Sequence, residues 1–388
     1  METETVSPGA NVARLRKDRG WGQDYLARRA GMSKSQLGKI ERGERALSQV
    51  MGAALATVFG ITLDELLKPA PVPAGDEDSL NSLRAAIRRF DLPQGLPVEQ
   101  AALEHEVAEL LQLRDAADLK RVTHKLPDVL SRAQDSAHAT GQPRDWGRVA
   151  DVYSTVYWLA ARHRWMTLAE LAVARQKQAS ERADALSLAI AARDEAGTFL
   201  NGGDFAGGLA VIDRAVVMAE TTLRGRDRHI GLGILHLRGM TLAGRLRDVA
   251  TAQRHIEAAW QAAELVGTDL NVRGMLFGPD NTATHVIATE ADTEQYREAV
   301  ATAADLFREG TALPPTRIGP THMNVSRAKL ALKDRDGALD SLADAWDVVP
   351  QMAKVHPTSQ ELSRVLTHLH KRSNPKLNRI AKKAGIRL

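Results

Sequence analysis

One pattern constrains the larger, C-terminal part of this chain more than any other: a face of small and aliphatic residues that returns at near-regular intervals. Counting three, seven and ten positions onward from Trp165, Phe205, Val249, Tyr296 and Arg335 gives Leu168/Ala172/Arg175, Gly208/Ile212/Ala215, Ala252/Ile256/Ala259, Ala299/Ala303/Leu306 and Ala338/Leu342/Ala345. These offsets share one side of a helix, and all fifteen positions except Arg175 are small or aliphatic. The starting points lie 40, 44, 47 and 39 residues apart. One helix cannot bury such a stripe, but stacked helix pairs can, so the pattern predicts an α-solenoid. Clusters of Gly, Pro, Asn and Asp at 141–147, 201–204, 277–281 and 313–320 read as the turns between helices. No run of alternating strands appears. Aromatic residues make up only 4% of the chain, which suits closely packed helices better than sheets.

The N-terminal part has a different texture. Over 21–67, Leu26, Ala27, Ala30, Leu37 and Ile40 set apolar spacings across two short helices, and Gly31 supplies the tight turn between them. Ser33 is placed to cap the second helix, and Ser48 a third that ends near Gly60. Thr62-Leu63-Asp64-Glu65 has the form of a capping box opening a last short helix. A Pro-, Ala- and acid-rich stretch then follows, so the chain divides into a head at 1–68, a linker at 69–79 and a helical body at 80–388.

Charge is distributed unevenly between these parts. Residues 14–45 hold ten Lys/Arg against four acids, a surplus of six, whereas the whole chain nets +4. A basic head on a near-neutral body suits a polyanionic partner, because neutralised phosphates release condensed counterions. The absence of cysteine excludes disulfides and thiolate metal sites. The start METETVSPGANVARLRK has no apolar core of a signal peptide, and no apolar run is long enough to span a membrane. A cytoplasmic protein without membrane association is expected.

At the head, Arg16, Gln23, Leu26, Ala27, Gly31, Leu37, Ile40, Glu41, Gly43 and the closing Gly60-Ile61-Thr62-Leu63-Asp64-Glu65-Leu66-Leu67 resemble the Cro/CI-like (XRE) helix-turn-helix regulators. The resemblance implies a five-helix, lambda-repressor-like DNA-binding domain whose recognition helix, Ser33 to Glu41, enters the major groove of double-stranded DNA. Lys34, Ser35, Gln36 and Lys39 would then face base edges, and Gln23, Arg42, Gly43 and Arg45 would meet phosphates. Arg16 and Glu41 match the family's internal ion pair. Two departures stand out: Gly22 replaces the usual Ser/Thr cap, and Gly38 lies inside the recognition helix, where it either permits close approach to DNA or limits base reading.

The body resembles tetratricopeptide (TPR) repeats, best over 203–220 and 334–350, with HEAT-like helix pairs as the alternative, so the fold class expected is all-α, a head followed by a TPR-like solenoid. Head and body together resemble peptide-responsive regulators and actinobacterial regulators carrying a Phe-Gly-Pro-x-Asn segment, here Phe277-Gly278-Pro279-Asp280-Asn281. That resemblance implies a homodimer whose groove receives a peptide or small-molecule effector. Arg193, His236, Asn281, His285 and Arg327 are the groove candidates on the first helices of the pairs. A helix from about Thr358 to Lys371 and a basic end (Lys376, Arg379, Lys382, Lys383, Arg387) are expected to cap the solenoid, with dimerisation or added DNA affinity as the alternatives. Catalytic signatures, metal-ligand spacings and cofactor motifs are absent, so neither enzyme activity nor a cofactor is expected. The alternative to a regulator is an interaction scaffold or antitoxin-type module that binds DNA only for autoregulation.

Overall fold

The computed structural model describes residues 7–67, 76–96, 98–369 and 374–384. The head is built from α1 (Pro8–Asp18), α2 (Gln23–Arg29), α3 (Lys34–Glu41), α4 (Gln49–Phe59) and α5 (Leu63–Leu67). The hydroxyls of Ser7, Ser33 and Ser48 accept from amides in the first turns of α1, α3 and α4, and Gly60 ends α4 in the left-handed region at φ 67°. Val12, Leu26, Leu37, Ile40, Leu55, Leu63 and Leu66 form the shared core. Gly9 lets α1 lie directly on the Ile40 carbonyl, where any side chain would collide with α3. Asn11 adds a polar tie, its amide donating to the Leu66 carbonyl at 2.8 Å.

Most of the residues read as a linker fall outside the described residues, and the next helix, α6 (Glu77–Arg88), begins inside the span assigned to it. It is followed by α7 (Gln100–Asp115), α8 (Leu119–Thr140), α9 (Pro143–His163), α10 (Met166–Ser180), α11 (Ala185–Gly202), α12 (Phe205–Thr222), α13 (Gly225–Leu246) and α14 (Val249–Val266). A small antiparallel hairpin, β1 (Leu270–Val272) and β2 (Met275–Phe277), interrupts the helices with Leu270 opposite Phe277. The body continues through α15 (Pro279–Asp292), α16 (Tyr296–Glu309), α17 (Pro315–Ala331), α18 (Arg335–Val348), α19 (Pro350–Val355), α20 (Pro357–Leu369) and α21 (Pro375–Ala384). The fold is all-α apart from that hairpin among the described residues.

Helices α12, α14, α16 and α18 start at Phe205, Val249, Tyr296 and Arg335, and α10 starts one residue after Trp165, so the recurring stripe marks the second helix of each pair. The turn into each second helix has one geometry. A left-handed residue comes first (Arg164, Gly203, Arg247, Glu294 or Lys333), at φ between 58° and 89°. In three turns an Asp follows, and Asp204, Asp248 and Asp334 accept from the amides of Gly207, Thr251 and Gly337. Only one of the five left-handed residues is glycine. Packing of the pair therefore holds a conformation that the other four side chains disfavour.

The pairs stack with the first helices α9, α11, α13, α15 and α17 touching in succession along the inner side. The solenoid curls back on itself, since α7 meets α17 and α19 meets α8 and α9. One apolar core accordingly joins Leu83, Phe90 and Leu126 to Met323, Trp346 and Leu366. The closing α21 packs on α18 and α20, as expected of a cap; Lys371 and Arg387 lie outside the described residues.

Candidate nucleic-acid interface

The second and third helices meet as a helix-turn-helix around Gly31, left-handed at φ 65°. Within α3, the Ser33 hydroxyl accepts from the Gln36 amide at 3.1 Å and the Gln36 side chain accepts from the Ser33 amide at 3.0 Å. This reciprocal box commits the Gln36 side-chain oxygen to the helix start, leaving only its NH2 for another partner. Lys34, Ser35 and Lys39 are exposed on the same helix, and the two lysines carry no ion pair among the described residues.

Behind the exposed face lies a polar cluster. Arg16 donates to both carboxylate oxygens of Glu41 at 2.7 and 2.9 Å and to the Trp21 carbonyl at 2.8 Å. Gln23 donates to the same carboxylate at 2.8 Å. Burial opposes the charge on Glu41, yet hydrogen bonds from Arg16 and Gln23 hold its carboxyl below the usual range. The Gln23 side chain is thus turned inward to Glu41, and the start of α2 at Gln23 has no side-chain cap. Gly38 belongs to this inner side as well. It is buried, and a Cβ there would come 3.1 Å from the Arg42 guanidinium and 3.8 Å from the Gln23 amide, so its small size serves packing within the head.

After α3 the chain turns through Gly43, left-handed at φ 74°. Arg42 is exposed but held by Glu44 through two bonds of 2.6 and 3.0 Å. Arg45 faces the body instead of open solvent. Together with Lys39, Glu44, Arg247, Glu294 and Arg335 it lines a cleft of about 930 Å³ between head and solenoid.

Several contacts fasten the head to the body. Asp64 of α5 accepts from Arg164 in the turn after α9. Ala53 of α4 and Leu63 of α5 pack over Gly203 at the end of α11. The Leu47 amide donates to Glu361 of α20 at 3.1 Å.

Residues 12–66 match the family described as HTH_3, a helix-turn-helix. The chain is 36% identical over 61 residues to the uncharacterized HTH-type transcriptional regulator y4dJ of Sinorhizobium fredii, a stretch that is 16% of this chain and 79% of that relative. It is 39% identical over 61 residues to the uncharacterized HTH-type transcriptional regulator YazB of Bacillus subtilis, 16% of this chain and 88% of that relative. The chain belongs to the helix-turn-helix transcriptional regulators. Two solved structures align along most of this regulator's length. A PrgX variant is 12% identical over 84% of this chain and 96% of that one, with a TM-score of 0.33. Bacillus thuringiensis PlcR, solved with the peptide PapR7 and DNA, is 11% identical over 89% and 96%, with a TM-score of 0.30.

The five groove candidates of this regulator have different surroundings. Arg193 lies beside Asp194 at 2.6 Å, and His285 sits in the field of Arg317, Arg193 and Arg238. His236 instead pairs with His255 across 2.9 Å between ring nitrogens, and Arg327 is bound to Asp292 at 2.7 Å. Asn281 is fully buried. Its amide donates to the Leu276 carbonyl at 2.9 Å, while Asp269 accepts from the Asp280 and Asn281 amides at 2.9 Å each. The Phe-Gly-Pro-Asp-Asn segment is therefore a brace that starts α15: Phe277 fills the space over Gly233 of α13, and Gly278 lies against the Asp269 backbone. No helix among the described residues is long and apolar enough to cross a membrane.

Proposed function

We propose that this transcriptional regulator binds operator DNA sequence-specifically as a homodimer, and that its repeat domain takes up a peptide or small ligand that resets the pose of the head. In this reading residues 1–68 read DNA and 80–388 sense and dimerise. The observation that carries it is where the head is anchored. Helix α4 touches α13 and α5 touches α11, and both α11 and α13 belong to the inner row of the solenoid. Any ligand that changes the spacing of the inner helices moves the platform on which the helix-turn-helix stands. Lys39 and Arg45 border the cleft against the body, so that pose also governs access to them. A single small head buries only about 600–1,000 Å² of surface on DNA, which favours two heads on a two-fold site.

Selection of bound sequences from random duplexes by the full-length chain, with sedimentation analysis of the complex, tests this reading. A palindromic motif bound by two chains supports it. A motif bound by one chain removes the dimer, and the absence of an enriched motif favours an interaction module that contacts DNA through phosphates alone.

A further inference from the structure

Contacts run from α7 to α9, then successively to α11, α13, α15 and α17, and from α17 back to α7. Six helices thus form a closed circuit of contacts. Each contributes one basic side chain: Arg114 from α7, Arg162 from α9, Arg193 from α11, Arg238 from α13, His285 from α15 and Arg317 from α17. Arg317 lies in the field of Arg193, Arg114 and Arg238, Arg162 in that of Arg114, Arg317 and Arg193, and His285 in that of Arg317, Arg193 and Arg238. These mutual fields put the cations on the same inner side of the circuit, and a Cβ on Gly197 of α11 would come 3.3 Å from the Arg238 guanidinium of α13.

Opposite charge is scarce there. Asp194 is fully buried and already accepts from Ser154 at 2.6 Å, Arg193 at 2.6 Å and Gln176 at 3.1 Å. Asp115 accepts from Asn271 at 2.6 Å, and Asp151 is matched by Arg273. Five guanidiniums therefore face two carboxylates, Asp115 and Asp194, that are not neutralised from outside the circuit. Arg114, Arg238 and Arg317 make no side-chain hydrogen bond or ion pair among the described residues, and each has a buried nitrogen without an acceptor. Arg114 and Arg162 lie over the Trp158 ring at 5.8 and 4.3 Å, which fixes their planes without satisfying their donors. Burial, with Arg193 and Arg114 adding repulsion, pushes Arg317 down to about 9. Unpaired buried donors and crowded like charges are costly, and an anion set among them would relieve both.

We propose that the inner side of this circuit binds a small polyanion, a molecule bearing two or more phosphate or carboxylate groups held by Arg114, Arg238 and Arg317. Planar guanidinium forks match such oxyanions with two parallel hydrogen bonds each. A single negative charge would leave the surplus largely uncompensated, and a neutral peptide backbone offers no charge at all. The proposal rests on the reading of the repeat domain as a sensor for its consequence on DNA, but not for the binding itself.

Titration calorimetry on the full-length chain at fixed ionic strength tests it, with tripolyphosphate, citrate and a tetra-aspartate peptide as probes. Saturable one-to-one binding of at least one probe is expected, and the strongest of the three tells phosphate from carboxylate chemistry. In the Arg238→Gln/Arg317→Gln double variant, binding should weaken by about a hundredfold or more, each tenfold being about 1.4 kcal/mol. Without a probe that variant should melt no lower than the parent, since it loses repulsion and not a partner, so lost binding is separable from lost fold. No binding by any probe, or equal binding by the double variant, overturns the proposal. Operator affinity is then measured with and without the probe. Binding that leaves DNA affinity unchanged upholds the polyanion site and sinks the sensor reading. A DNA response to an uncharged ligand, with no probe bound, does the reverse.

Discussion

Arg164, left-handed at φ 58° in the turn between α9 and α10, is buried under the head and donates to Asp64 of α5 and to the Asn201 carbonyl at 3.2 Å. Burial raises the Asp64 carboxyl and lowers the Arg164 guanidinium in spite of their attraction. The pair is therefore a positioning device more than a source of stability. Asp64→Asn leaves the cation under the head with a carbonyl as its main acceptor. We expect a loss of roughly 2 kcal/mol, below the figure for a fully buried pair because Asp64 keeps some contact with water. Hydrogen exchange should show protection falling first in α5 and α4; unchanged protection there would mean that the docking does not depend on this pair.

Within the head, Glu41 gathers Arg16 and Gln23 in one half-buried cluster. Glu41→Gln should destabilise the protein by roughly 1 kcal/mol at neutral pH, because a half-buried guanidinium loses its counter-charge while water still screens it in part. The folded carboxyl sits below its unfolded value, so this contribution is present above the ordinary carboxyl range and lost as pH falls through the folded value. Denaturant melts of parent and variant should converge in acid. A difference that persists at the lowest pH would exclude this electrostatic origin.

On the exposed face of α3, Lys34→Ala and Lys39→Ala should relax sequence preference, by about 1–3 kcal/mol of discrimination if each reads a base. Arg42 is different, being tied to Glu44. Glu44→Gln should release it, strengthening binding to all duplexes and steepening the salt dependence by about one counterion. Binding isotherms over a salt series decide this, and an unchanged slope would remove Arg42 from the phosphate contacts.

Three histidines predict an acid limit. Burial lowers His163, His236 and His356 to about 4, so the folded protein keeps them neutral while the unfolded chain protonates them. Stability should fall as pH drops from about 6.5 towards 4, each group adding a slope of up to about 1.4 kcal/mol per pH unit. Glu290, raised to about 7 chiefly by burial, works in the opposite sense, its contribution fading as pH rises from about 4.5 through 7. Melting temperatures of His236→Asn and His356→Asn across this range should show flatter acid limbs than the parent.

The brace before α15 offers a steric test. A Cβ on Gly233 would collide with the Phe277 ring, which is fully buried. Gly233→Ala should cost about 1–3 kcal/mol by overpacking. Adding Phe277→Leu should recover part of it, and a double variant no more stable than the single one would refute the contact as the cause.

Much of the fold could be read directly from the residues. The starts of α12, α14, α16 and α18, the cap at Ser33 and the box at Thr62–Glu65 depend on neighbours three or four positions away, and such rules are local. At Gln23 and Gln36 the local pattern gives the position but not the side chain's partner. Each residue stands where the helix-turn-helix pattern places it, but its amide is taken up by Glu41 or by the Ser33 amide. Asn281 was legible as part of a motif and illegible as a brace, since its acceptor lies on a hairpin that no alternation announces. Four of the five turns into α10, α12, α14, α16 and α18 use a left-handed residue other than glycine, so composition alone does not reveal their geometry.

By itself, the sequence determined the parts: a basic helix-turn-helix head, a run of helix pairs with small residues on one face, and the points where each helix begins. Only the tertiary structure decided that the run closes on itself, placing α7 against α17. It also decided that the head is held from opposite ends of the chain, as Leu47 and Glu361 are, 314 residues apart. Periodicity carries the first kind of information because backbone hydrogen bonding repeats every few residues. Curvature summed over many repeats carries the second, and small rotations at each helix pair accumulate to it without leaving a mark at any single position.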